Sequence, residues 1–286
     1  MKASAFDYAR VESLEEVFAL FAEYGDEARI IAGGQTLVPA MAMRVAAPAL
    51  LIDISRLEAL QGIARNGDRL RIGAFTRYVE LQHSPLVAEA APLLHRAIPL
   101  IAHEAIRSRG TFGGSLANAD PASEMPACAL ALEAVMVIAN AEGERRVAAA
   151  DFFQGLYQTA LEPGDVLVAV EIPVAQDGMQ GVIEELVRRQ GDYAMVGLAA
   201  TGKAANGMLS GPRFVFFGVG DRPVLATKAA EALADGPISP EHIAEAQAAL
   251  AQDFTPLGDI HCSPATKAHL ARVLLGRVVS RLLEHR

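Results

Sequence analysis

The chain is poor in cysteine: only Cys128 and Cys262 occur in 286 residues, far apart and in different compositional settings. Neither a disulfide framework nor a cysteine-ligated metal or iron–sulfur site can be built within such a chain, and the scarcity points to a reducing compartment. Its seven histidines are scattered, and His103-Glu104 has no second histidine at metal-ligand spacing. Long apolar runs are missing too. The longest stretch without a charge, residues 30–43, is broken by Gly33, Gly34, Gln35, Thr36 and Pro39, which is too short and too interrupted for a bilayer. Residues 1–9 carry Lys2 and Asp7 with no apolar core between them, so no export signal is legible and the expectation is a cytoplasmic protein without an integral membrane segment. Positive charge is in deficit, 25 Lys+Arg against 34 Asp+Glu for a formal charge of −9, which repels phosphate backbones and argues against nucleic acid as a partner. There is no internal repeat, no low-complexity tract and no block of like charge.

What is present is a hydrophobic content of 52% with 21% charged residues, ample for a buried core, over a length of about two domains of roughly 150 residues. Ser13 followed by Glu16 reads as a capping box before a helix whose apolar face holds Val17, Leu20 and Phe21. Residues 29–32 read as a strand stopping at Gly33-Gly34, and residues 50–52 as another ending at Asp53, which together make a small α/β unit. Residues 70–72 read as a strand, Thr76 as the opening of a helix, and residues 86–106 as an Ala- and Leu-rich helical stretch. Residues 135–172 return to strand-like runs separated by Gly143, Gly155 and Pro163-Gly164. The polar, glycine-bearing segment 175–181 is the best boundary. Beyond it lie three apolar strands, 182–187, 193–199 and 214–219, and then helices over 226–233, from Ser239-Pro240 and from Ser263-Pro264. The last helix carries Leu270, Val273, Leu274, Val278 and Leu282 on one stripe.

Two glycine-rich segments carry the chemistry. In Ile31-Ala32-Gly33-Gly34-Gln35-Thr36-Leu37-Val38-Pro39, directly after a strand, consecutive glycines let backbone N–H groups converge without Cβ obstruction, as an anion nest does. A Gly-Gly pair is equally the mark of a plain turn. The second segment, residues 109–124, includes Thr111, Gly113, Gly114, Ser115, Asn118, Asp120 and Glu124. It reads either as a long capped turn or as a ligand loop, whose donors Thr111, Ser115 and Asn118 and acceptors Asp120 and Glu124 suit phosphate oxygens and sugar hydroxyls. Residues 197–204 approach a P-loop, but Ala204 replaces the magnesium-binding Ser/Thr and the run reads as a strand. Gly218-Val219-Gly220 lacks the rest of a dinucleotide fingerprint. Arg188-Arg189 reads as a solvated strand end or a subunit contact.

The segments Ala32-Gly33-Gly34-Gln35-Thr36-Leu37-Val38-Pro39 and Thr111-Phe112-Gly113-Gly114-Ser115-Leu116-Ala117-Asn118-Ala119-Asp120-Pro121, with Arg188-Arg189-Gln190-Gly191-Asp192-Tyr193-Ala194 downstream, resemble the FAD-binding medium subunit of molybdenum hydroxylases. The resemblance spans nearly the whole chain. It implies an α+β fold: a two-subdomain PCMH-type FAD-binding domain over residues 1–175, with subdomains of about 1–55 and 56–175, then a C-terminal domain over 176–286 with a three-stranded antiparallel sheet and helices. It implies FAD between the two subdomains. Ile31, Ala32, Gly33, Gly34, Gln35, Thr36 and Leu37 would supply the diphosphate loop, and Thr111, Gly114 and Ser115 would meet it from the second subdomain. Asn118, Asp120 and Glu124 would face phosphate and sugar oxygens, Leu167 the adenine end, and Tyr193 the isoalloxazine. Gln35 stands where oxidases of the vanillyl-alcohol type use a histidine to attach flavin, so noncovalent FAD is implied. Some relatives carry lysine where Glu184 or Glu185 stands here, so the charge near the flavin differs.

The resemblance further implies partners: a small subunit with two [2Fe–2S] clusters and a large subunit with the molybdenum cofactor, assembled as a dimer of heterotrimers. Electrons would pass from the clusters to FAD and on to an external acceptor, with no catalytic side chain in this chain. Two other readings stay open on sequence: a self-contained FAD oxidoreductase related to UDP-N-acetylenolpyruvylglucosamine reductase, and a scaffold that has lost its flavin.

Overall fold

The computed structural model describes residues 2–234 and 236–284. The chain opens with β1 (Asp7–Arg10), α1 (Leu14–Tyr24), β2 (Ala28–Ile31), α2 (Leu37–Ala42) and β3 (Leu50–Asp53). The three strands form a parallel sheet in the order β1-β3-β2. At the start of α1 the Ser13 hydroxyl accepts the Glu16 N–H at 3.2 Å, while the Glu16 carboxylate takes the N–H of Glu12 rather than of Ser13, so the capping box reaches back one residue further than expected.

The chain continues with β4 (Ile63–Asn66), β5 (Arg69–Gly73), α3 (Tyr78–Gln82), α4 (Pro85–Ala90), α5 (Pro92–Ala97), α6 (Glu104–Arg107), α7 (Phe112–Asn118), α8 (Glu124–Ala131), β6 (Val135–Asn140), β7 (Gly143–Ala148), α9 (Ala149–Phe152), β8 (Phe153–Gly155), β9 (Gln158–Thr159) and β10 (Val166–Pro173). Strands β4-β5-β10-β6-β7 make an antiparallel sheet in that order. Thr76 does not open α3. Its hydroxyl donates to the Gly62 carbonyl at 3.1 Å, and the helix starts at Tyr78, with the Arg77 N–H held by Glu80. Prolines at the heads of α4 and α5 cut the 86–106 stretch into short helices.

After Pro173 come β11 (Met179–Leu186), β12 (Val196–Ala205), β13 (Met208–Phe217), the two-residue β14 (Val224–Leu225), α10 (Thr227–Glu231), α11 (Pro240–Asp253) and α12 (Pro264–Glu284). The three expected strands form an antiparallel sheet to which β14 adds a short edge. Residues 179–181 already pair with Thr201, Gly202 and Lys203, so the polar segment is shorter as a linker than its composition implies. The P-loop-like residues 197–204 lie within β12, as a strand.

Alternation along the strands builds three stacked cores. One face of the five-stranded sheet, with Val137, Ala139, Val166 and Val168, packs on the small parallel sheet and α1. Its other face, with Leu70, Ile72, Met136, Ile138 and Val170, packs on α3 to α8, which in turn meet Ile183, Ala199, Val215 and Phe217 of the C-terminal sheet. The far face of that sheet, with Val182, Leu198, Ala200, Phe214 and Phe216, is closed by α10, α11 and α12. The burial of Leu274, Leu275, Val278, Val279 and Leu282 gives α12 a wider apolar stripe than the one read from sequence. Among the described residues no helix is long and apolar enough to cross a membrane.

Candidate functional site: a cleft between two glycine loops

The loop between β2 and α2 and the loop leading into α7 come together although 75 residues separate them. A methyl group on Gly33 would lie 2.2 Å from the Arg109 carbonyl oxygen, so only glycine permits this approach. On the second loop the Thr111 hydroxyl caps α7 by accepting the Gly114 N–H at 3.2 Å, and Phe112 and Gly113 donate to the carbonyls of Thr76 and Ala74 at 2.9 Å each. A methyl group on Gly114 would meet the capping Thr111 hydroxyl at 2.6 Å and lie 3.9 Å from the Ala32 side chain of the first loop. Between the loops opens a cleft of about 880 Å³, within the size range of small-molecule and cofactor sites.

Of the residues expected at the site, Ile31, Ala32, Gly33, Gly34, Gln35, Thr36, Leu37, Thr111, Gly114, Ser115, Asn118 and Leu167 all line this cleft. Asp120, Glu124 and Tyr193 do not line it. Asp120 is buried beside the cleft, where it accepts the Tyr157 hydroxyl at 3.1 Å and the Ala122 N–H at 3.0 Å. Glu124 is buried at the start of α8, in the core beneath the cleft. Tyr193 sits in the loop between β11 and β12, 61% exposed and within the electrostatic reach of Asp120 and Tyr157. The strand expected at residue 193 begins only at Val196, which leaves Tyr193 free of the sheet.

Sequence reasoning missed the rear wall, made of Asn140, Tyr157 and residues 161–166. Asp165 staples it: its carboxylate accepts from the Asn140 amide at 3.0 Å, from the Glu162 N–H at 2.8 Å and from the Arg145 guanidinium, and its side chain is 1% exposed. Pro163-Gly164 marked a turn there but gave no sign of a binding surface. Tyr157 has a φ of 54°, a left-handed conformation uncommon for a bulky residue, and it lines the cleft with its hydroxyl tied to Asp120.

The electrostatics of the wall are specific. Arg29 is its only cation among the described residues, and its guanidinium donates to the carbonyls of Asp26 and Ala28. A diphosphate bound here therefore depends on backbone N–H groups rather than on a basic clamp. Gln35 folds back so that its amide donates to the Gly33 carbonyl at 3.0 Å, and the Tyr78 hydroxyl donates to Ser115. Burial, followed by the Asp120 charge, pushes Glu124 up to about 7, and burial raises Tyr78, Tyr157 and Tyr193 above the ordinary tyrosine range.

Residues 4–175 match the family model "FAD binding domain in molybdopterin dehydrogenase", and residues 182–282 match "CO dehydrogenase flavoprotein C-terminal domain". The chain belongs to the FAD-binding medium-subunit family of molybdenum hydroxylases. The carbon monoxide dehydrogenase medium chain of Afipia carboxidovorans is 36% identical over 282 residues, with 98% of each chain covered. The 6-hydroxypseudooxynicotine dehydrogenase complex subunit alpha of Paenarthrobacter nicotinovorans is 36% identical over 99% of this chain and 96% of its own length. A solved structure of reconstituted CO dehydrogenase from Oligotropha carboxidovorans superposes with a TM-score of 0.96 at 34% identity, all of both chains being covered.

The α+β architecture is that of this medium-subunit family, and FAD is its cofactor. The residues present fit FAD: the Gly33-Gly34 loop, which a Cβ at Gly33 would force away from Arg109, and the polar side chains of Thr111, Ser115 and Asn118 border one cleft, and Arg29 is the one cation among its described lining residues.

Proposed function

We propose that this medium-subunit family member collects electrons from an iron–sulfur small subunit with two [2Fe–2S] clusters and passes them to an external acceptor. In this reading a partner large subunit oxidises its substrate at the molybdenum cofactor, and the complex is a cytoplasmic dimer of heterotrimers. Residues 1–175 form the FAD domain, with subdomains of about 1–55 and 56–175, and residues 176–286 the C-terminal domain; the family-model spans of 4–175 and 182–282 support that division. The single observation that carries the reading is the close approach of Gly33 to the Arg109 carbonyl, which brings both glycine motifs onto one cleft, because either motif alone is only a turn.

When bound, FAD supplies the redox chemistry, storing a pair of electrons that the acceptor removes. The protein binds and orients. Backbone N–H groups of Ala32, Gly33, Gly34, Gln35 and Thr36 hold the diphosphate, flanked by Ile31 and Leu37, while Thr111, Gly114 and Ser115 meet it from the second loop. Asn118 faces the sugar hydroxyls and Leu167 the adenine end. Asp120 holds the ring of Tyr157 against the cleft through its hydroxyl, and Tyr193 would face the isoalloxazine. Gln35 has no ring nitrogen to bond to flavin, so the cofactor is noncovalent. No side chain acts as a general acid or base.

Co-expression with the proteins encoded beside it tests the assignment. The expected product is a complex with one FAD per chain, released by acid precipitation, that co-elutes with iron and molybdenum at twice the mass of a heterotrimer. A purified complex with no flavin and neither metal overturns it.

A further inference from the structure

One lysine of the C-terminal domain is buried where physical chemistry disfavours it. Lys267 sits at the end of the first turn of α12, its side chain 6% exposed. Desolvation opposes an ammonium there, and so does the positive N-terminal end of the helix dipole. Two acceptors answer it. Its Nζ donates to the Gly218 carbonyl and lies 2.7 Å from the Asp259 carboxylate, whose side chain is 41% exposed. A buried ion pair adds little net stability over an apolar side chain of the same size, so stability alone does not account for a lysine at this position.

Gly218 is a junction. It follows β13 directly with a φ of 75°, and a methyl group on it would lie 2.9 Å from the Ala194 carbonyl oxygen and 3.0 Å from that of Met195. The turn is thus wedged against the chain just beyond Tyr193. The loop that carries Asp259 grips the same segment, with Cys262 Sγ 3.4 Å from Met195 Sδ. On its other side the Gly218 N–H crosses to the FAD domain and donates to the Pro121 carbonyl at 2.8 Å. Pro121 belongs to a tight turn in which the Asp120 carboxylate accepts the Ala122 N–H at 3.0 Å and the Asp120 carbonyl accepts the Ser123 N–H at 3.1 Å. Displacing Pro121 therefore displaces Asp120. Further along the Gly218 loop, Arg222 donates to the Gln154 carbonyl at 3.3 Å, on the strand β8 that leads into Tyr157. Residues 218–222 hold both partners of the Tyr157–Asp120 hydrogen bond, one through Pro121 and the other through Gln154.

We propose that Lys267 is a positioning residue for the cofactor cleft: it pins the Gly218 turn, and through that turn the C-terminal domain sets Asp120 and the cleft-lining Tyr157 of the FAD domain. The inference rests on the FAD reading of the cleft. Lys267 is not among the residues that line the cleft, and it acts through the hydrogen bonds it anchors. Without the ammonium the Gly218 carbonyl is buried and lacks a donor, so the peptide rotates toward one. Glycine offers little resistance to that rotation. The N–H bond to Pro121 is released with it, and Asp120 leaves its register together with the tyrosine ring bonded to it.

The test compares Lys267→Met, which keeps the reach of the side chain and removes its charge, with Lys267→Arg, which restores a donor. In fluorescence titration of the deflavinated chain, Lys267→Met should weaken FAD binding about fivefold and Lys267→Arg should return it to within about twofold of the natural value. In a Tyr157→Phe background the ring is no longer tied to Asp120, and the same Lys267→Met change should weaken binding by less than about twofold, the non-additivity of residues that act through one contact. A merely structural role predicts the same loss in both backgrounds, and that additivity overturns the proposal. Arg222→Ala cuts the second hold at an exposed position where the fold is not at stake, and it should show the same dependence on background. Hydrogen exchange of the flavin-free chain reads the tether without cofactor: amides of residues 119–123 and 217–219 should exchange about tenfold faster in Lys267→Met, while β6 and β12 stay protected. If the natural chain binds no FAD but this exchange pattern appears, the reading of the cleft has failed and the tether stands. If FAD binds and neither exchange nor affinity responds to Lys267→Met, the tether has failed.

Discussion

The cleft and the packing behind α8, where Glu124 and Cys128 lie one turn apart on the helix and Glu185 faces them from β11, are built on different principles. The cleft mixes donors and acceptors: the backbone of the Gly33-Gly34 loop, the side chains of Thr111, Ser115 and Asn118, the carboxylates of Glu142 and Glu162, and one cation already spent on its neighbours' carbonyls. Behind α8 the buried Glu124 and the half-buried Glu185 make no ion pair among the described residues, and Oε2 of Glu185 has no hydrogen-bond partner. A third acid setting in the C-terminal domain separates burial from pairing. Asp259 accepts from the N–H groups of His261 and Cys262 and from the buried Lys267 ammonium, whose 2.7 Å contact holds it down at about 2 against the upward push of burial. Burial raises a carboxyl only where no donor answers it.

The most severe way to break the cleft is Gly33→Ala. Its methyl group would meet the Arg109 carbonyl at 2.2 Å, so the loops must part. FAD affinity should fall about 100-fold or more, roughly 3 kcal/mol, read by fluorescence titration of the deflavinated chain. Unchanged affinity would mean that the loop contact is not what forms the site. Asp165→Ala comes next. It strips the rear wall of three hydrogen bonds to a buried carboxylate and should cost about 3 kcal/mol of unfolding free energy, with about tenfold weaker FAD binding as residues 161–166 loosen.

The acid settings also predict opposite pH slopes. Glu124 and Glu185 are raised in the folded chain, so their contribution is fully present below the ordinary glutamate pKa and is lost as pH climbs through about 7 and about 8. Asp259 is lowered, so its contribution is present above the ordinary aspartate pKa and is lost as pH falls toward about 2. Melting of the flavin-free chain should therefore weaken from pH 6 to 9, by about 1 kcal/mol from the buried Glu124 and by a smaller, solvent-screened amount from the half-buried Glu185. Lys267→Met should remove the acid-side dependence and leave the alkaline side alone. A flat alkaline limb would show that burial does not raise Glu124 in the folded chain.

Much of this was legible in the sequence, and what was not has physical causes. The strands ending at Gly33 and Asp53, the two glycine motifs and the capped C-terminal helices announce themselves through local chemistry. The rear wall does not, because Asn140 and Asp165 act across 25 residues and Pro163-Gly164 marks only a turn. Glu124 read as a ligand because it follows a run of hydroxyl and amide residues, but α8 begins there and turns it into the core. Glu185 carries no local signal at all. Its neighbour Glu184 has the same character, and only the strand's alternation, set against α8 on one face and α12 on the other, gives one an arginine and the other none.

The smallest expected effect falls where the two regions touch. Tyr157 lines the cleft with its ring and ties its hydroxyl to Asp120, so Tyr157→Phe keeps the ring and removes one hydrogen bond to a buried acid. A loss of about 1 kcal/mol follows, with FAD affinity changed about threefold or less. Asp120 then loses the donor on its Oδ2, its negative charge bears harder on Glu124, and the alkaline limb of the melting profile should move to higher pH. A Tyr157→Phe chain whose alkaline limb stays in place while its FAD affinity falls would confine Tyr157 to the cleft and disconnect it from Glu124.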